Sequence, residues 1–220
     1  IGDKFVVAGN NADRDPEELT PMIGIVGFDE NSFKWKLEQL IQLENTTGEP
    51  TLVPGAINYK FNSIISIVVD KDSAIYALGH QKEEGGDEHS YYLHKLEYDG
   101  NALQFKKTLP VVGMNHSYAP WNDKGFVGLP NMRIFGDKLY IPMTVEMNDL
   151  AGTKRNGAYI LVADLDLNNE VEVKPVCGTH DGDDSCGIMD LQYCDGTYYA
   201  AAASYDTDNG YMSFIIPVEG

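Results

Sequence analysis

The sequence predicts an all-β protein assembled from about four repeats of one meandering sheet-and-hairpin unit. Three observations support this reading. A polar turn followed by a short apolar strand recurs four times along the 220 residues. The turns carry Gly-Asp or Asp-Gly pairs at three of the four places, and such pairs tolerate the positive φ of tight hairpins. The flanking segments are rich in β-branched and aromatic residues, and several alternate apolar with polar, as Leu161-Val162-Ala163-Asp164-Leu165-Asp166-Leu167 does.

The elements follow in order. In the first repeat Gly2-Asp3-Lys4 leads into a strand at Phe5 to Gly9, and a second strand is expected at Met22 to Phe28. Asn31 to Leu43 is ambiguous, because Phe33, Leu37, Leu40 and Ile41 fall at helical spacing with Asp29 or Asn31 as caps. The other repeats demand an outer strand there, and a strand is the expectation. In the second repeat Ser63 to Val69, the Asp72-Ser73 turn, Ile75 to Gly79, Tyr91 to Tyr98 and Leu103 to Leu109 form the series. The third runs Asn131 to Phe135, Gly136-Asp137-Lys138, Leu139 to Pro142, Ala158 to Leu167 and Glu170 to Val176. The fourth runs Gly187 to Cys194, Asp195-Gly196-Thr197, Tyr198 to Ala201 and Tyr211 to Val218. The strand after each turn thus starts near residues 5, 75, 139 and 198, a spacing of roughly 60–70.

This pattern resembles the blade of a β-propeller, most plainly in Arg133-Ile134-Phe135-Gly136-Asp137-Lys138-Leu139-Tyr140-Ile141. The likeness is architectural: no WD dipeptide, Gly-Gly kelch pair or Asp-box signature accompanies it. It implies a propeller domain or propeller segment over 1–220, with four-stranded blades at about 1–45, 62–112, 127–178 and 185–220. Each such sheet buries its faces only by stacking on neighbours. The first repeat begins at its second strand and the last stops at its third. Other chain segments, or a larger propeller, are therefore expected to complete the set.

Charge narrows the partners. Against 16 basic residues stand 34 acidic ones, a formal charge of −18. A surface this negative repels phosphate backbones and anionic headgroups, which argues against nucleic acid and membrane partners. No stretch approaches the roughly 18 apolar residues of a membrane helix. Two sequons, Asn45-Thr46-Thr47 and Asn115-His116-Ser117, fit a secretory route. Among the three cysteines, Cys186 and Cys194 lie about 26 Å apart if the strand between them is extended at ~3.3 Å per residue, too far for a bond. Cys177 and Cys186 bracket a loop and are the expected disulfide, leaving Cys194 as a buried thiol. The expected location is extracytoplasmic: secreted, periplasmic or on the cell surface.

The propeller resemblance also implies that ligands approach the face made by the long connections, with the first strand of each blade lining a channel. The connection from Pro110 to Leu129 carries Asn115, His116, Tyr118, Trp121, Asn122 and Asp123. Aromatic rings for stacking beside amides and a carboxylate for hydroxyls suit a sugar or small polar ligand. The structural alternative is that Tyr118 and Trp121 fill a seam between sheets. In the next connection, Asp181, Asp183 and Asp184 cluster around Gly182 as oxygen ligands for Ca2+, the only cofactor expected, without regular calcium-loop spacing. His80, His89 and His94 are read as unrelated positions around an exposed tip rather than as a metal cluster. Hairpin alignment puts Asn131 and Asp190 at equivalent places near the start of the first strand, directed to the channel mouth. Met189-Asp190-Leu191 before Asp195-Gly196-Thr197-Tyr198-Tyr199 faintly resembles five-bladed propeller glycosidases. That resemblance implies a catalytic role for Asp190; it does not extend to a second and third acid, for which Glu146 is the candidate the sequence offers. Arg133 is alternatively a structural partner of Asp190.

Three functions follow. The chain is expected to be a binding module for a small polar ligand, a glycan or a protein through its long-loop face. The second reading is a glycoside-active enzyme using Asp190, and the third a structural subunit of a larger assembly.

Overall fold

The computed structural model describes residues 3–11, 20–42, 59–83, 89–111, 131–148, 154–177, 185–206 and 210–218. The described residues form strands and turns without a helix, in four antiparallel sheets of the meander kind that makes β-propeller blades. No helix among them is long and apolar enough to cross a membrane. The chain divides into two compact units, Ile1–Val111 and Val112–Gly220.

The first unit holds a three-stranded sheet, β1 (Phe5–Asn11), β2 (Thr20–Asp29) and β3 (Lys34–Gln42). Its four-stranded companion is β4 (Tyr59–Val69), β5 (Ala74–Glu83), β6 (His89–Tyr98) and β7 (Leu103–Pro110). Alternation sends Val6, Ile23, Ile25 and Ile41 to one face of the first sheet, where they pack with Ile64, Ile75, Ala77 and Leu96 of the second. Ile23, Ile25, Ile75 and Leu96 are fully buried there.

The outer strand predicted at Asn31 to Leu43 is present as β3, and its helical spacing has a physical origin. The β2–β3 ladder shifts register so that Val26 faces Leu37 and Ile25 faces Gln39, leaving Glu38 as a bulge. One extra residue keeps Leu37 and Leu40 on the same face although they are three apart.

The second unit holds β8 (Arg133–Phe135), β9 (Lys138–Asn148), β10 (Lys154–Asp164) and β11 (Glu172–Cys177). Beside it lies the three-stranded sheet β12 (Ser185–Cys194), β13 (Thr197–Asp206) and β14 (Gly210–Val218). Ala158, Ile160 and Val162 of β10 bury against Ile188, Leu191 and Ala200. Among the described residues the first and last sheets have three strands and the two between them four.

Turn chemistry explains the placement. Asp195 and Gly196 both have positive φ, 49° and 85°, as a two-residue I′ hairpin requires. Asp70 and Asp99 hold their turns through side-chain acceptors: Asp70 Oδ1 takes the N–H of Ala74 at 2.8 Å, and Asp99 Oδ1 that of Ala102 at 2.8 Å. Those bonds from Ala102 and Asn101 hold the Asp99 carboxyl below its usual range.

Three expectations need correction. Cys194 is a free, exposed thiol rather than a buried one, because it ends β12 opposite Thr197, beside the turn and outside the core. His89 opens β6 opposite Lys82 instead of lying in the loop between strands. The first strand of the third repeat begins at Arg133, two residues later than expected.

Candidate functional site

β8 and β12 are the first strands of their sheets, each joined to the next by a two-residue turn. Gly136 takes φ 63° in the first turn. Counted from the turns, Asn131 stands four residues before Phe135 and Asp190 four before Cys194, but Asn131 precedes β8 whereas Asp190 is the sixth residue of β12 rather than near its start. A register shift in the β12–β13 ladder between Ile188 and Asp190 leaves Met189 unpaired. Bulges of this kind re-aim neighbouring side chains.

Arg133 joins the two positions. Its Nη1 donates to Asn131 Oδ1 at 2.9 Å and its Nη2 to Asp190 Oδ1 at 3.2 Å. Asp190 Oδ1 also accepts the Leu191 N–H at 2.9 Å, and Oδ2 accepts from Gln192 Nε2 at 2.9 Å. The Arg133 and Asp190 side chains remain 34 % and 35 % exposed. An ion pair wet to this degree contributes at most about 1 kcal/mol to stability. What it does provide is a fixed array of N–H donors and carboxylate and amide acceptors that meets solvent, the chemistry that hydroxyl groups pair with.

Below this cluster the seam between the two sheets of the second unit is aromatic. Phe135, two residues from Arg133 and on the same side of β8, meets Tyr198 at 5.3 Å and Tyr193 at 5.7 Å between ring centroids. Tyr140 lies 4.4 Å from Tyr198. Burial, reinforced by the hydrogen bond with Tyr198, raises the Tyr140 phenol above its ordinary range. At mid-strand, Thr144 Oγ1 accepts the Ile188 N–H at 3.1 Å, a buried link from β9 to β12.

The remaining predicted site residues are placed as follows. Asn115, His116, Tyr118, Trp121, Asn122 and Asp123 lie outside the described residues, as do Asp181, Asp183 and Asp184. Glu146 is on β9 opposite Asn156, and Cys177 on β11 opposite Ala158, but neither side chain is among those described. Cys186 is buried in the β12 core. Among the described residues, no three His, Cys, Asp or Glu side chains are grouped to hold a metal ion. His80 faces Tyr91 across its ladder, whereas His94 faces Ala77. Gln192 was missed by sequence reasoning. Its signal was its place two residues beyond Asp190, on the same side of the strand.

The charge is distributed unevenly. The described residues carry 14 of the 16 basic side chains and 18 of the 34 acidic ones, so the remaining segments hold −14 of the −18. In every sheet those connections leave from the strand ends opposite the described turns.

No protein-family model and no curated protein matches the chain. Solved structures similar to it include an exo-1,5-α-L-arabinanase from a bovine ruminal metagenomic library, at 10 % identity and TM-score 0.46 over 99 % of this chain and 70 % of that one. The Cellvibrio cellulosa α-L-arabinanase complexed with arabinohexaose gives 12 % identity and TM-score 0.43 over 100 % and 71 %. Trypanosoma rangeli sialidase in complex with the inhibitor DANA gives 14 % and 0.35 over 99 % and 43 %.

Proposed function

We propose that the chain, as a propeller domain or segment of one, is a binding module for a neutral polar ligand, with a glycan as the preferred class. The observation that carries this reading is the Asn131–Arg133–Asp190 array, in which a guanidinium and a carboxylate, each one-third exposed, are held together on the first strands of successive sheets. Its charges offset one another, and the acidic connections disfavour anions, so hydroxyl groups are the matching ligand chemistry. Tyr118 and Trp121 supply the stacking rings in this reading, and the location is extracytoplasmic, with Cys177 bonded to Cys186.

Titration of a neutral oligosaccharide panel by calorimetry tests it. Arg133→Ala is expected to weaken the best ligand at least about tenfold, close to 1.4 kcal/mol, with an unchanged circular dichroism spectrum. Equal affinity in wild type and variant removes the proposal. A glycoside-active enzyme is the second reading, favoured by the exposed Asp190 carboxylate on that strand. Hydrolysis of the panel by wild type but not by Asp190→Asn would replace binding with catalysis.

A further inference from the structure

The first sheet buries only one of its faces in its unit. On the other face alternation places Phe5 and Val7 of β1, Phe28 of β2, and Trp35, Leu37 and Leu40 of β3. They are 58 %, 43 %, 43 %, 53 %, 55 % and 49 % exposed, and Phe33 at the β2–β3 turn is 81 % exposed. The rings form a continuous ladder: Phe5 to Trp35 at 4.8 Å, Trp35 to Phe28 at 5.1 Å, and Phe28 to Phe33 at 6.4 Å between centroids. Gly24 keeps the centre low, since a Cβ there would lie 2.8 Å from Leu37 Cδ1 and 3.2 Å from Val7 Cγ2.

We propose that this face is a self-association surface, on which the β1–β3 sheet of a second copy of the chain packs about a two-fold axis. Area is the first argument. At about 150–250 Å² per large side chain, the exposed fractions amount to roughly 700 Å². That exceeds the roughly 300–600 Å² of the largest apolar patch on a typical monomer and approaches the ~800 Å² that each partner buries in a stable complex. Charge is the second. In a protein of net charge −18, the described residues of this sheet hold three lysines against four acids. Lys4 is paired with Glu38 and Lys36 with Asp29. Register and contacts put Lys36 and Asp29 beside Gly27, and Lys4 beside Tyr98, on the opposite face with Ile23 and Ile25. The strand positions of the apolar face therefore carry no charge that would repel a second copy. A face that meets itself is also what a two-fold interface requires, and two twisted sheets pack face to face about 10 Å apart.

Sedimentation equilibrium on the full 220-residue chain decides it. The wild type is expected to dimerise at concentrations up to about 100 µM, more strongly in added salt, which screens the acidic connections of the two copies. Trp35→Glu with Leu37→Glu is expected to abolish the dimer. Leu40→Gln alters one half-exposed side chain, leaves the buried face intact, and is expected to weaken it about tenfold. A wild type that stays monomeric throughout overturns the proposal and assigns the face to another partner. Dimers of unchanged affinity in Leu40→Gln also overturn it, whether or not the double variant folds.

Discussion

His94 lies fully buried within β6, with Nδ1 2.9 Å from Thr108 Oγ1 and Phe105 edge-on to the ring. Burial lowers its pKa from 6.5 to about 4. The folded state therefore resists a proton that the unfolded chain accepts. The stability tied to neutral His94 is complete above pH 6.5 and drains away as pH falls towards 4, a loss on the order of 3 kcal/mol. Urea unfolding at pH 7 and pH 4.5 should show this loss, and His94→Gln should flatten the slope. An equally steep slope in the variant would assign acid sensitivity to other groups. At this scale the sequence was informative about identity and silent about environment. The pattern Tyr91-Tyr92-Leu93-His94 gives no sign which ring turns inward. The Arg133–Asp190 pairing was legible, because hairpin alignment placed both residues on first strands. Gln192 was missed: its i+2 place put it on the same side as Asp190, but spacing alone does not say that its amide donates to that carboxylate.

Strands and hairpins were the most legible level. Gly-Asp and Asp-Gly pairs located the turns because the hairpin demands positive φ, and the ladders start and stop within a few residues of the alternating segments. Bulges were illegible. The extra residue at Glu38 made β3 look helical, and the unpaired Met189 redirects Asp190 without a distinctive residue type. The β9–β12 link offers a test of how sheets in the second unit are held. Thr144→Val keeps the shape but removes the acceptor of the Ile188 N–H, leaving a buried donor unsatisfied. The expected cost is about 1–3 kcal/mol, measured as a drop in the denaturant midpoint. An unchanged midpoint would show that water or another acceptor replaces the hydroxyl.

Across the whole molecule, the described residues carry −4 of the net charge, the connecting segments −13 and Glu219 the last −1. A net charge of −18 repels itself, and counterions relieve that repulsion. Raising NaCl from about 10 mM to about 150 mM, which shortens the screening length from about 30 Å to about 8 Å, should raise the melting temperature. A lower melting temperature in salt would mean that favourable ion pairs outweigh the repulsion. Four repeats were visible in the sequence because every unit reuses the same turn grammar. The long connections carrying Tyr118, Trp121 and Asp181 have no comparable periodicity to constrain them, so their chemistry was read from composition alone.

The exposed sulfur at the end of β12 has a practical consequence. Cys194 follows Asp190 by four residues, about 13 Å along an extended strand. A maleimide dye attached there sits near the Arg133 array, so a change in its emission on adding sugar would test the proposed binding. Labelling at that one position turns the protein into its own fluorescent reporter.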